Sequence, residues 1–158
     1  MNDQKAFEQT LPRKPSAAGV LCTNAEGKIL IVVPTYKPEW EIPGGTVEHN
    51  ESPKQACMRE VKEELGIDIP VGGLLQLNYR EESEHLGELL LFLFDGGVLS
   101  PAQILSIKLP ADELSHFHFL TLNEIKEKTI PSLYHLIESG LTQRQLKQTG
   151  YSEFSKPI

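Results

Sequence analysis

A short segment, residues 52–67 (SPKQACMREVKEELGI), constrains the fold of this chain more than any other part of the sequence. Ser52 is a favourable N-cap, Pro53 suits the first helical position, and Gln55 can complete a capping box, so a helix is expected to begin here. Gly66 supplies the left-handed residue with which helices commonly end. The segment therefore predicts a helix with two defined ends.

One side of this predicted helix is apolar, and the adjoining side is acidic, because residues follow one another at about 100° around a helix. The apolar stripe consists of Cys57, Met58, Val61 and Leu65. The acidic arc consists of Glu60, Glu63 and Glu64. Carboxylates in the last turns oppose the helix dipole and repel one another. A solvated surface can carry such charges, but their clustering favours a site for Mg²⁺ or Mn²⁺, which prefer oxygen ligands.

The acidic arc belongs to a longer pattern over residues 45–67, Gly-x5-Glu-x7-Arg-Glu-aliphatic-x-Glu-Glu-x-Gly-aliphatic. This pattern matches the Nudix box, and the preceding residues 40–45 (WEIPGG) resemble the usual lead into that box. The chain thus resembles the Nudix hydrolases, a family that uses a divalent metal ion to cleave a nucleoside diphosphate linked to another group. The resemblance implies an α+β fold, an α/β/α sandwich with a mixed β-sheet.

The resemblance also implies roles for single residues. Glu51 and Arg59 occupy the positions of a structural ion pair that holds the loop against the helix. The catalytic group is one of the box glutamates, Glu63 or Glu64, or else a glutamate of a later loop, for which Glu113 is the candidate. The implied metal ligands are the side chains of Glu60, Glu63 and Glu64 and the backbone carbonyl of Gly44.

The substrate is less constrained than the chemistry. In related subfamilies a proline beyond the box marks ADP-ribose, a tyrosine slightly farther on marks dinucleoside polyphosphates, and a Pro-rich run marks NADH. Residues 81–84 (EESE) occupy that region without a proline, and Tyr79 comes early. A nucleoside triphosphate is therefore expected by elimination. Two alternatives stay open: a nucleotide-binding Nudix domain without turnover, and an isoprenoid diphosphate isomerase, whose additional Cys has no obvious counterpart here.

The composition fits one globular domain and disfavours several kinds of partner. The chain has 158 residues, 39% of them hydrophobic and 23% charged. Its net charge of −7 disfavours nonspecific binding to a nucleic-acid duplex. No apolar run approaches the length of a membrane span, and the N-terminal residues lack the apolar core of a signal peptide. We expect a cytoplasmic protein that binds a small nucleotide; a homodimer is left open.

The chain is predicted to divide into a flexible N-terminal segment (residues 1–15), a Nudix hydrolase domain (16–142), and a C-terminal helix end and frayed tail (143–158). Cys22 and Cys57 form neither a zinc pattern nor a disulfide framework, so both are expected to be buried thiols.

Turn and capping residues predict the remaining elements. Residues 95–97 (DGG) read as a turn, Thr121 opens a short helix with a capping box, and Pro131 starts a helix that Gly140 ends. The predicted strands are residues 16–23 and 28–33, which form a hairpin, and residues 40–42, 71–79, 88–94, 102–109 and 112–120.

Overall fold

A computed structural model describes residues 3–154 as a mixed seven-stranded sheet covered by helices on both faces. This is the predicted α/β/α sandwich. In chain order the elements are α1 (Asp3–Glu8), β1 (Ser16–Thr23), β2 (Ile29–Pro34), β3 (Gly44–Thr46), α2 (Pro53–Leu65), β4 (Leu74–Arg80), β5 (Leu89–Val98), α3 (Pro101–Leu105), β6 (Leu114–Leu120), α4 (Leu122–Ile125), α5 (Pro131–Leu146) and β7 (Gly150–Phe154).

The sheet has the strand order β6-β2-β1-β5-β4-β7, and β3 pairs with β1. The β1–β5 and β4–β7 pairs are parallel, whereas the other pairs are antiparallel. One apolar core lies between the sheet and α2, and a second lies between the opposite face and α5. Both free cysteines are buried in the first core, as predicted.

The predicted hairpin of β1 and β2 is only partly correct. The two strands pair at Thr23 and Ile29 and then diverge. The segment that follows β2 fills the gap: Glu41 bridges to Val32, and β3 pairs with β1. This insertion places the adjacent glycines of β3 inside the sheet, next to the helix that carries the acidic arc.

Two predictions around β5 are wrong. Residues 95–97 are not a turn but part of β5, where a bulge opposite Leu21 and Cys22 leaves Gly97 at φ 68°. Residues 102–109 do not form a strand, because Ser100 and Gln103 make a capping box that starts α3. The capping hydrogen bonds satisfy the first backbone N–H groups of a helix, so a helix forms although the apolar pattern of the segment predicts a strand.

The C-terminal part is more ordered than the sequence indicated. Helix α5 does not end at Gly140 but continues to Leu146, and Gly140 is buried against the sheet. A Cβ at Gly140 would lie 2.3 Å from Leu93 Cδ2, so the glycine serves close packing rather than termination. The predicted frayed tail contains β7, which pairs in parallel with β4; the predicted tail residues 155–158 lie outside the described range.

The side chains of β6 alternate between the two faces of the sheet. Phe117 and Phe119 pack on the α2 side, whereas His116 and His118 are exposed, and His118 stacks on Trp40 at 5.0 Å between ring centroids. At the other end of the chain, none of the α1 residues is buried. Within residues 3–154 no helix has both the length and the apolar character needed to cross a bilayer.

Candidate active site

Helix α2 has the ends that its sequence predicts. The Ser52 hydroxyl accepts a hydrogen bond from the Gln55 N–H (3.2 Å), and Gln55 Oε1 accepts one from the Ser52 N–H (2.9 Å). Gly66 closes the helix in the left-handed conformation, with φ 67°. These caps fix the position of the helix along the sheet and thereby the height of each glutamate.

The buried face of α2 determines which way the acidic arc points. Ala56, Cys57, Val61 and Leu65 are buried against the sheet. Met58 was predicted to join this stripe, but it is 51% exposed because it lies beyond the edge of the contact with the sheet. The acidic arc therefore lies along the border between α2 and the glycines of β3.

Glu64 is a partly buried carboxylate of the arc and contacts the first glycine of β3. Its Oε2 accepts a hydrogen bond from the Gly44 N–H at 2.9 Å. The pKa of Glu64 is raised to about 8, chiefly by burial and also by the charges of Glu60, Glu41 and Glu113, whereas the hydrogen bond from Gly44 opposes these effects. A buried carboxyl among other acids holds its proton near neutral pH unless a cation compensates its charge.

Glu60 packs directly on the second glycine of β3. A Cβ at Gly45 would lie 2.3 Å from Glu60 Oε1, so a side chain at this position would displace the carboxylate of Glu60. Glu60 Oε1 also accepts a hydrogen bond from Arg59 Nη1 at 2.8 Å. Glu63 lies farther out, with a side chain that is 56% exposed, and its Oε2 is 3.2 Å from the same Arg59 nitrogen.

Glu51 and Arg59 form the ion pair that the resemblance implied. Arg59 Nε and Nη2 donate to the two oxygens of Glu51 at 2.8 and 3.0 Å, and Nη2 also donates to the Thr46 carbonyl at 3.1 Å. The second Glu51 oxygen accepts the Glu48 N–H at 3.0 Å. These bonds connect α2 to the preceding loop and to the end of β3, and they hold the pKa of Glu51 below its usual value.

Glu113 lies on the loop before β6 and is exposed. Its backbone carbonyl accepts the Thr35 N–H at 2.9 Å, which fixes the loop to the end of β2. Its carboxylate is close enough to raise the pKa of Glu64, although no hydrogen bond joins the two side chains. The structure thus places the charge of Glu113 within electrostatic reach of the acidic arc.

A cleft opens from the glycines of β3 along the α5 face of the sheet. It encloses a cavity of about 140 Å³ whose walls are largely apolar, including Leu89, Leu91 and Leu133. Gly44 and Gly45 lie at one end of this cleft. The polar side chains that line it are Glu41, Arg80 and Ser132.

A model of the NUDIX domain family matches residues 13–139, which include the helix, the glycines and most of the sheet. The chain belongs to the NUDIX family. The solved structure of a MutT protein from Methanosarcina mazei Go1 shares the fold, with a TM-score of 0.65 and 24% identity over 88% of this chain and 100% of that chain.

Curated relatives match this NUDIX protein over shorter segments. An 8-oxo-dGTP diphosphatase from Proteus vulgaris is 44% identical over 57 residues, which are 34% of this chain and 50% of that protein. An RNA pyrophosphohydrolase from Hydrogenovibrio crunogenus is 42% identical over 50 residues, 32% of this chain and 30% of that protein. The NUDIX protein thus spans half or less of the length of these two relatives.

The carboxylates of this NUDIX protein fit a hard divalent cation by their chemistry. Within residues 3–154 no three acidic, His or Cys side chains converge as a ligand set. Arg59 donates hydrogen bonds to Glu60 and Glu63, whereas Glu64 accepts one from the Gly44 N–H. The side-chain atoms that could bind the metal are nonetheless all carboxylate oxygens on successive turns of one helix. A bound cation would offset the burial and the repulsion that raise the pKa of Glu64.

Sequence reasoning missed three side chains that line the cleft of this NUDIX protein. Glu41 had a local signal, because it stands in the WEIPGG lead, but its carboxylate was given no role. Arg80 ends β4 and Ser132 lies in the first turn of α5, more than fifty residues farther along the chain. No local pattern could have joined these two residues, because only the sheet and α5 together bring them to one cleft.

Proposed function

We propose that this NUDIX protein hydrolyses a phosphoanhydride bond in a nucleoside diphosphate linked to another group, with Mg²⁺ or Mn²⁺ as cofactor. A nucleoside triphosphate is the first substrate to test. The curated relatives support this class of reaction, since one is named a diphosphatase and the other a pyrophosphohydrolase.

The observation that carries the proposal is the environment of Glu64. A carboxylate that is partly buried, hydrogen-bonded to a glycine N–H and exposed to the charges of Glu60, Glu41 and Glu113 is costly in the metal-free protein. Perturbed carboxyls at the end of a cleft are typical of catalytic and metal sites. A surface that merely carries solvated charge would not bury one of its acids.

The chain's own residues then have distinct tasks. Glu60, Glu63 and Glu64 would hold the cation, and the Gly44 carbonyl is proposed as a further oxygen ligand. When bound, the cation supplies neutralisation of phosphate charge and activation of a water molecule. The ion pair of Glu51 and Arg59 positions this arc by connecting α2 to the loop and to β3.

The two glycines of β3 give the diphosphate a place to lie, because a backbone without Cβ atoms lets phosphate groups approach closely. Removal of the proton from the attacking water is assigned to Glu63, Glu64 or Glu113. Glu64 is partly buried, whereas Glu63 and Glu113 are exposed.

A phosphate-release screen tests the proposal. Nucleoside triphosphates, nucleotide sugars and dinucleoside polyphosphates are incubated with the protein in Mg²⁺, in Mn²⁺ and in EDTA. We expect release from at least one substrate in metal and none in EDTA. Glu63→Gln and Glu64→Gln should each lower the rate by at least about tenfold, the low end for a positioned catalytic group.

Glu113→Gln tests the loop as the source of the base and should lower the rate similarly only if Glu113 accepts the proton. Glu127→Gln is the matched control, since Glu127 is exposed, lies after α4 and is not among the charges that shift the pKa of Glu64. The proposal is wrong if the folded protein releases no phosphate from any diphosphate and binds neither cation.

A further inference from the structure

At the end of the cleft away from Gly44 and Gly45 there are hydrogen-bond donors that have no acidic partner. Arg80 projects from the last position of β4 and is half-buried. Its Nε and Nη2 donate only to the Gly87 carbonyl, at 3.3 and 3.2 Å, and no carboxylate within residues 3–154 forms an ion pair with it. A half-buried guanidinium that lacks a carboxylate partner has lost hydration without full compensation.

Ser132 faces the same place from the opposite wall. It is only 2% exposed, and within residues 3–154 its hydroxyl makes no hydrogen bond. Ser132 lines both the main cleft and a smaller pocket that continues from it, and Arg80 lines the same two spaces. A hydroxyl without a partner on a residue that lines a cleft and is otherwise buried indicates a place for an acceptor group.

Ser132 also belongs to the first turn of α5, a helix of 16 residues. The N-cap residue, Ile130, provides no side-chain cap, and Pro131 at the first position has no N–H. The positive end of the helix dipole and the free N–H of Ser132 therefore meet the cleft at the same point as the Ser132 hydroxyl. An uncapped helix N-terminus beside an unpaired arginine favours an anion.

This place is separate from the glycines of β3. In the sheet, β4 is followed by β5, β1 and then β3, so the backbone of Arg80 lies three strand spacings from β3, roughly 14 Å. The two phosphorus atoms of a diphosphate are separated by a single bridging oxygen. A diphosphate at Gly44 and Gly45 is shorter than this backbone separation, so it can bind there without occupying the guanidinium of Arg80, which lines the same cleft.

Within residues 3–154, Glu81 lines the smaller pocket without forming an ion pair with Arg80, and the one acid that lines the main cleft is Glu41. Its carboxylate forms an ion pair with Lys37, and it lies on the segment that leads to β3. Glu41 contributes to the electrostatic environment of Arg80 without bonding to it. The guanidinium thus stays available to a ligand.

We propose that Arg80, Ser132 and the N-terminus of α5 form a subsite for a phosphate ester group that is not part of the hydrolysed diphosphate. The inference rests on the proposed function for the position of the diphosphate at the β3 glycines. It narrows the substrate class to nucleotides that carry a further phosphate, either as a terminal monoester or as the phosphodiester of a second nucleotide.

The test measures binding without metal and without turnover, so its outcome does not depend on whether the protein hydrolyses anything. In EDTA, AMP, adenosine 3′,5′-bisphosphate and the 5′-phosphorylated dinucleotide pApA are titrated into the ¹⁵N-labelled protein, and affinities are read from amide shifts. The bisphosphate adds a monoester and pApA adds a diester. We expect at least one of them to bind about tenfold more tightly than AMP, with the largest additional shift at the Ser132 amide.

Arg80→Met should abolish this gain and leave AMP affinity unchanged, and Arg80→Lys should retain part of it. Ser132→Ala should reduce the gain, because the helix N-terminus remains and only the hydroxyl is lost. Lys28→Met is the matched control, since Lys28 lies in the turn at the opposite end of β1, and it should keep the full gain.

The inference is refuted if neither extra phosphate strengthens binding, or if the gain persists in Arg80→Met. It is also refuted if Arg80→Met weakens AMP as much as the larger probes, because Arg80 would then hold the 5′-phosphate itself. Gain with the bisphosphate alone identifies a monoester, and gain with pApA alone identifies a diester; either supports the subsite.

Discussion

Replacing Glu64 by Gln in the metal-free protein gives a direct measure of the strain at the acidic arc. The pKa of Glu64 is about 8 in the folded protein, against 4.5 for an ordinary glutamate. The folded protein therefore binds a proton that the unfolded chain has released over this interval. Stability must fall as the pH rises from about 4.5 towards 8, and it stops falling once both states are deprotonated.

The size of the effect follows from the interval between the two pKa values. Each pH unit within it changes the free energy of unfolding by about 1.4 kcal/mol. By pH 7 the wild-type protein should thus have lost at most about 3 kcal/mol through Glu64. A glutamine is neutral at every pH, and its Oε1 can still accept the hydrogen bond from Gly44, so Glu64→Gln removes this loss.

The assay is urea unfolding in EDTA at pH 5, 6, 7 and 8, for the wild type, for Glu64→Gln and for Glu63→Gln. Glu64→Gln should gain stability relative to the wild type progressively as the pH rises. Glu63→Gln removes a charge from the same helix at an exposed position, and its difference from the wild type should not grow in this way. A pH-independent difference for Glu64→Gln, or one that shrinks towards pH 8, would refute the reasoning.

Two further predictions concern the connection of α2 to the sheet. Glu51→Gln and Arg59→Ala should each lower both the melting temperature and the hydrolysis rate. Because the two residues share one contact, the double mutant should lose less stability and activity than the sum of the two single mutants. Additive losses with unchanged melting temperatures would show separate roles. Gly44→Ala should destabilise the protein by about 1–3 kcal/mol in urea unfolding, since the new Cβ would lie 2.3 Å from the Ala18 carbonyl oxygen in β1. A variant as stable as the wild type would show that β3 can move away from β1.

Elements with complete local signals could be predicted from the sequence. Helix α2 begins and ends where its capping residues indicate, and the capping box of Thr121 and Glu124 is present. The strands of the sheet were mostly recognised from their apolar runs, which reflect burial on both faces. At residues 102–109 the wrong prediction of a strand also has a local cause: the capping box of Ser100 and Gln103 is a helix signal that outweighs the apolar pattern.

Glycines were misjudged where their role depends on a distant neighbour. Gly140 was read as a helix end, yet it lies inside α5 because the helix approaches Leu93 too closely for a side chain. Gly96 lies within β5, where a Cβ would come within 2.3 Å of Cys22 Sγ. A glycine that terminates an element and a glycine that permits close packing are identical in sequence.

The sequence by itself determined the acidic arc, its place on a capped helix and the family to which the chain belongs. Only the tertiary structure decided that neighbouring glutamates differ, since Glu64 is partly buried and accepts the Gly44 N–H whereas Glu63 remains exposed to solvent. It also decided that Arg80 and Ser132 face one cleft. Helical periodicity fixes the direction of a side chain, but burial and pKa depend on which distant strand or helix packs against it.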